Sequence, residues 1–468
     1  MTKLTSKKGN RMFKLVTSIA LIMALWVTMA LPATAAVYSE GTDSENPAKA
    51  AVTKLFKLPV NTTTPESKFV FTFAKVGMLE GVGVDESADL KDKMPSIQDL
   101  NINYDPGERP TGTDGMTYLD GDTYTLVKQS DDFIKNLTPA GWGNGEGVYV
   151  YKLYENSTPG NSEIKITDDE NEWDVYSEAE YDVEIWVEKD DKGILFVRYV
   201  SVKIVTEKTD EYYTIKGKPG DGKVDPTPDG QGENELIDRL IEEDFSQVFF
   251  TNKYWKNDGG GPTDTKNTSL EIIKKIKGAG AVKTTRFEFD VTVIQPSIIP
   301  DTLQYRAVIL DKDGANVTST DHYSTISNDT YGDYIKFTSN SELKIKLTDE
   351  ERLSFLDLTV GATVKVNEAA SNDYIPSYLN TFPSDAEKEY KGEVKKELGF
   401  PSADDPGLHY IREGANVNYS NFTNTRSGAT PTGVSVDDLP YLALIGLTLA
   451  SLGLYLSVKF RKKVTNNA

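Results

Sequence analysis

The chain of 468 residues contains no cysteine. Disulfides, thiolate metal sites and a cysteine nucleophile are therefore excluded, and an exported protein of this length must brace itself by other means. Histidine is almost absent as well, with His322 and His409 the only two. A His-based metal site or a Ser-His-Asp triad has little to draw on. Positive charge is short: 51 Lys and Arg stand against 72 Asp and Glu, for a net charge of −21. That balance argues against binding nucleic acid or an anionic membrane surface. What the chain has instead is Tyr (24) and Phe (18), with Val, Thr and Gly-bearing turns, a composition that suits strands better than helices.

Both ends read as targeting segments. Lys3, Lys7, Lys8, Arg11 and Lys14 precede an apolar stretch from Leu15 to Leu31, and Ala33-Thr34-Ala35 follows as an A-x-A site. This is the pattern of a secretory signal peptide covering residues 1–35. At the other end, residues 439–458 form an apolar run of membrane-spanning length, followed by Lys459-Phe-Arg-Lys-Lys463. Basic residues after a span act as a stop-transfer signal. The body between the two ends is more acidic than the whole.

Within the body, Asn257-Asp-Gly-Gly-Gly-Pro-Thr-Asp264 reads as a linker by composition. It divides the chain into residues 45–256 and 268–426, with 257–267 between them. Alternating segments such as Phe69-Val-Phe-Thr-Phe73, Val148-Tyr-Val-Tyr-Lys-Leu-Tyr-Glu155 and Phe287-Glu-Phe-Asp-Val291 predict strands. A short helix is predicted over Glu233–Asp244, and residues 76–146 read as irregular. The fold class predicted is all-β, as two tandem Ig-like β-sandwich domains.

The halves repeat in outline. Each opens on an apolar strand holding a Lys, Lys54 or Lys274. Each continues through Phe-x-Phe, reaches a strand ending in Glu155 or Glu368, and closes on Phe-Thr-Asn at Asn252 or Asn424. Side chains two apart share a strand face. Lys54 lies with Val52 and Phe56, Glu155 with Tyr151 and Leu153, and Asn252 with Val248 and Phe250. Lys274 lies with Ile272 and Ile276, Glu368 with Val364 and Val366, and Asn424 with Phe422. Three polar residues per half thus point where a core should be. Burial drives Lys and Glu toward their neutral forms. A neutral amine is a nucleophile, and a protonated carboxyl shuttles protons, so a Lys held near an Asn carboxamide can displace ammonia. In the second half Lys275 and Asn421 compete. Lys275 falls on the wrong face. Asn421 alternates better with Val417 and Tyr419, whereas Asn424 keeps the Phe-Thr-Asn triplet.

These residues resemble the pilin isopeptide-linkage domains of Gram-positive surface proteins, of the streptococcal type. The resemblance implies a bond from Lys54 to Asn252 assisted by Glu155, and one from Lys274 to Asn424 assisted by Glu368. Closing loops of that size stabilises by roughly 5 kcal/mol in the loop-entropy model. Pro431-Thr432-Gly433, then the span and the basic tail, resembles a sortase sorting signal of the x-P-T-G type over residues 429–468, with cleavage between Thr432 and Gly433. What this implies is a cell-wall-anchored surface protein, a pilus subunit, that is not an enzyme in the usual sense and needs no cofactor or metal. Its partners would be a sortase transpeptidase, peptidoglycan or neighbouring pilin subunits, and a host or environmental ligand. In related shafts the acceptor Lys precedes the closing strand; here that spacing falls at Phe245, and Lys216, Lys218 and Lys223 are substitutes. Two other readings stand beside this one: a non-polymerised wall-anchored adhesin, and a wall-anchored glycan hydrolase for which no carboxylate pair is singled out. Asp311-Lys-Asp-Gly314 reads as an exposed turn and not a calcium loop.

Overall fold

The computed structural model describes residues 38–108, 117–135, 137, 141–168, 170–228, 245–330, 332–369, 371, 373–381, 388–391, 410–414, 418–426, 444–445 and 447–452. The predicted signal peptide, the helix predicted at 233–244, the Pro-Thr-Gly triplet and most of the apolar run 439–458 lie outside them. Residues 444–445 and 447–452 are helical with exposed apolar side chains. No helix of the described residues is long and apolar enough to cross a membrane.

The protein is all-β, built from two β-sandwiches. In the first, a nine-stranded sheet faces a five-stranded one. The larger sheet holds Ser67–Glu80, Gly147–Glu155, Glu180–Lys189 and Leu195–Ile204 as antiparallel neighbours. The smaller sheet holds the opening strand Thr53–Pro59 between Thr123–Gln129 and the closing strand Phe249–Lys256. Strict alternation makes the first of these sheets legible: in Glu180–Lys189 every second residue, Tyr181, Val183, Ile185 and Val187, is buried. Phe56 meets Phe69 across the sandwich edge-to-face at 5.3 Å, and Phe71 meets Phe250 at 4.8 Å. A fully buried ring of this size contributes about 1.5–3 kcal/mol.

The second sandwich packs an eight-stranded sheet on a three-stranded one. Its opening strand is Leu270–Lys277 and its closing strand Tyr419–Arg426. The three-stranded sheet centres on Phe287–Ile294, flanked by Glu342–Leu347 and Thr363–Glu368. Phe289 meets Phe422 at 5.3 Å across the core.

Residues 76–146 are not irregular as the sequence suggested. They carry strands at Gly83–Asp85, Leu100–Tyr104, Thr117–Asp120 and Thr123–Gln129, and a helix at Ala88–Lys93. Thr123–Gln129 pairs directly with the opening strand along its whole length. Its first five residues are all buried, so both of its faces are covered despite the Thr-Tyr-Thr-Leu alternation.

The Gly-rich segment after the first sandwich is tied down on both sides. Asn257 N–H donates to Asn171 O, Asp258 N–H to Leu358 O and Gly261 N–H to Leu356 O. Gly259 has φ +98° and a Cβ there would sit 2.3 Å from Leu356 O, so only glycine fits. Trp255, Ile298 and Ile299 form a small cluster bridging the two sandwiches, with Trp173 against it.

Candidate functional site

In both sandwiches the opening and closing strands lie side by side and parallel. In the first, Lys54 stands opposite Phe250, and Asn252 stands opposite Phe56. In the second, Lys274 stands opposite Phe422, and Asn424 opposite Ile276. Lys and Asn are therefore diagonal neighbours on one face, two residues apart in register, in each case. The Glu strand pairs antiparallel with the Phe-x-Phe strand, placing Glu155 opposite Phe71 and Glu368 opposite Phe289. The two halves share this frame residue for residue.

Side chains then converge. Lys54 Nζ donates to Glu155 Oε2 at 2.6 Å, and Asn252 Nδ2 donates to Glu155 Oε1 at 2.7 Å. Lys54 and Asn252 have no exposed surface, and Glu155 retains 6 %. In the second sandwich Lys274 Nζ and Asn424 Nδ2 both donate to Glu368 Oε1, each at 2.6 Å. Lys274, Glu368 and Asn424 are equally deep. The structure thus brings together the three residues of each trio.

The Phe-x-Phe strands supply the walls. Lys54 Nζ lies 4.2 Å from the centre of the Phe69 ring and 5.8 Å from that of Phe71. Lys274 Nζ lies 4.1 Å from Phe287 and 5.7 Å from Phe289. The ring faces partly offset the loss of water around the amine. Sequence spacing marked these phenylalanines as part of the repeat without disclosing that role.

Burial pushes the amine of Lys54 down, opposed by the charge and hydrogen bond of Glu155. It pushes Lys274 down to about 8, again opposed by its glutamate. The carboxyl of Glu368 is pushed up by burial, against the pull of Lys274 and Asn424. An amine and a carboxyl moved toward each other in this way share one proton readily, and the form with both groups neutral becomes accessible.

Asn421 and Asn424 occupy opposite faces of the closing strand. Along Tyr419–Arg426, Ser420, Phe422 and Asn424 are buried and Asn421 is not. Tyr419, which made Asn421 look well placed, points the same way as Asn421, away from Lys274. Lys275 is exposed.

The two sites differ around the asparagine. Ser177 N–H donates to Asn252 Oδ1 at 2.8 Å. Asn424 Oδ1 is buried with no partner among the described residues, as is Glu368 Oε2.

The remaining expectations fall as follows. Pro431, Thr432 and Gly433 lie outside the described residues. Phe245 is buried. Lys218 is exposed and donates to Thr206 O, while Lys223 sits in a short strand beside Leu195–Ile204. The side chain of Lys216 lies outside the described set. Asp311 Oδ1 accepts from the N–H groups of Asp313 and Ala315, closing an exposed turn on itself. Among the described residues no grouping of His, Asp or Glu could hold a metal ion.

A family model described as a domain of unknown function (DUF7601) matches residues 268–399. No curated protein matches the chain. Among solved structures, the chain is similar to the major pilin from Streptococcus pyogenes at 16% identity, over 81% of this chain and 98% of that one, with a TM-score of 0.27. It is similar to the T3.2 major pilin of the same organism at 18% identity, over 84% of this chain and 100% of that one, with a TM-score of 0.27. It is also similar to a pilus-presented adhesin at 10% identity, over 81% of this chain and 100% of that one, with a TM-score of 0.20.

Proposed function

We propose that each trio forms a Lys–Asn isopeptide bond without outside help, and that the chain is a wall-anchored, pilin-type surface subunit stiffened by two such bonds. The observation that supports this most strongly is the repetition. The same three residue types, in the same diagonal register, are buried around one carboxyl in two different sandwiches. A structural ion pair would need no Asn and no second copy. Two chance burials of Lys are each expensive, because a charge removed from water costs several kcal/mol even when paired.

The chemistry follows from the contacts. The glutamate takes a proton from the lysine ammonium, leaving a neutral amine and a neutral carboxyl. The amine nitrogen bonds to the asparagine Cγ, the Cγ–Nδ2 bond breaks, and the nitrogen leaves as ammonia with the proton relayed through the carboxyl. The product is a neutral amide, and neither buried charge remains. With domains at 45–256 and 268–426, each domain carries one bond that joins its first strand to its last.

The outer ends complete the reading. The leader at 1–35 exports the chain, and the Pro431-Thr432-Gly433 triplet ahead of the apolar run serves a sortase, which joins Thr432 to peptidoglycan or to a neighbouring subunit. Intact mass of residues 37–426 tests the internal bonds: two of them remove about 34 Da as ammonia. A mass equal to that of the unmodified sequence would overturn the proposal. Immunoblots of wall extracts test the attachment, where a high-mass ladder marks polymerisation and a single band marks a lone anchor.

A further inference from the structure

We propose that the backbone N–H of Ser177 is the oxyanion donor for bond formation at the first site, and that the second site lacks one and therefore closes more slowly. This rests on the cross-link reading above and adds a catalytic group to it.

The geometry begins with a ladder that stops short. The strand Glu172–Val175 pairs antiparallel with the closing strand, and its last rung is Val175 with Lys253. The next positions would be Tyr176 against Asn252 and Ser177 against Thr251. The chain peels away instead, and the Ser177 N–H bonds the Asn252 side-chain carbonyl. That carbonyl oxygen takes on negative charge when an amine adds to Cγ. A preset N–H at 2.8 Å in a site closed to water is the arrangement that stabilises such charge. The same bond fixes the carboxamide so that its nitrogen, the leaving group, faces Glu155 Oε1.

The second site shows the contrast within one molecule. The strand beside Asn424 is Tyr374–Thr381; Pro376, opposite Asn424, has no N–H to give, and Ser377, in the place of Ser177, does not peel away but stays in the ladder opposite Thr423. Asn424 Oδ1 has no donor among the described residues. Among the described residues only Glu368 orients that amide.

At the first site the step balances as follows. Neutral Lys54 Nζ forms a bond to Asn252 Cγ, and the carbonyl electron pair moves onto Oδ1 against the Ser177 N–H. The surplus proton on Nζ passes to Glu155, and the proton that Glu155 held goes to Nδ2. The pair on Oδ1 then returns, the Cγ–Nδ2 bond breaks, and one ammonia is released.

The test is a time course on the full chain made by cell-free synthesis, quenched in acid, digested and read by mass spectrometry, with the two cross-linked peptides counted separately. In the unaltered chain the Lys54–Asn252 peptide accumulates before the Lys274–Asn424 peptide. Ser177→Pro deletes the N–H and slows the first bond by about a hundredfold, the typical loss for one oxyanion donor. The second bond is unchanged. Ser177→Ala keeps the N–H and the rate. Where the proline disturbs folding, the α-hydroxy analogue of serine placed at 177 replaces that amide by an ester and removes the N–H alone. First-bond formation at the original rate in the ester variant, or equal slowing in Ser177→Ala, overturns the assignment of the N–H. Equal rates at the two sites in the unaltered chain overturn the contrast. No cross-linked peptide at either site overturns the isopeptide reading itself, a separate result.

Discussion

Lys54 Nζ lies 2.6 Å from Glu155 Oε2 in a pocket where neither side chain has exposed surface. Replacing Glu155 by Gln keeps the shape and removes the proton carrier. The expected product is a chain about 16 Da heavier than the parent, from about 17 Da of retained ammonia less about 1 Da for the substitution, with the Lys274 bond intact. Its thermal stability falls sharply, because an unpaired buried amine costs about 3–5 kcal/mol and the lost loop constraint roughly 5 more. Mass spectrometry and a thermal melt on the same sample check both.

Asn424→Ala and Asn421→Ala separate the two candidates of the closing strand. The first forms no bond and releases no ammonia at the second site, since no carboxamide remains beside Glu368. The second still forms its bond, because Asn421 sits on the opposite strand face. Peptide mapping distinguishes the outcomes.

The second bond should depend on pH with a definite sign. The reactive pair is one proton shared between Lys274 and Glu368. With the amine near 8, raising pH through that value removes the shared proton and leaves a carboxylate that has none to give the departing nitrogen. Bond formation between Lys274 and Asn424 therefore slows from pH 7 to pH 9. A time course in buffered cell-free reactions measures it, and a rate that rises across that interval contradicts the shared-proton chemistry.

Asp258 gives a second pH effect, at the junction of the sandwiches. Burial pushes its carboxyl up to about 6, opposed by the N–H groups of Gly414 and Gly259. The folded chain then holds a proton that the unfolded chain releases near 3.8. Stability is present below that lower value and is lost as pH rises through about 6, by at most about 3 kcal/mol. Asp258→Asn keeps the acceptor for Gly414 and should flatten this part of the melting-temperature profile between pH 4 and pH 7.

The trios were legible because each breaks a rule locally. A Lys, Glu or Asn on an otherwise apolar strand face stands out in sequence, and the structure finds all six buried. Asn421 competed because Tyr419 is large and Ser420 small, yet Ser420 is the buried one. Near a strand end a small polar side chain can sit inside while an amphipathic ring lies over the outer surface. Thr123–Gln129 escaped notice because its short Thr-Tyr-Thr-Leu alternation sits inside a stretch rich in Gly and Asp. The segment from Asn257 to Asp264 looked like a loose tether by composition, whereas its glycines serve a close backbone approach at Leu356. Ser177 left no sign in the sequence, since a main-chain N–H is common to nearly every residue and only the path of the chain makes one useful.

The diagonal register has a consequence beyond strength. Lys and Asn meet only when the first and last strands are aligned two residues out of step, and a slip of one residue would turn the asparagine to the opposite face. A bond formed there certifies that two segments from opposite ends of a sandwich have found their correct alignment. Each ammonia lost would then count one correctly assembled sandwich, so the mass of a single exported chain would carry a permanent record of its own folding.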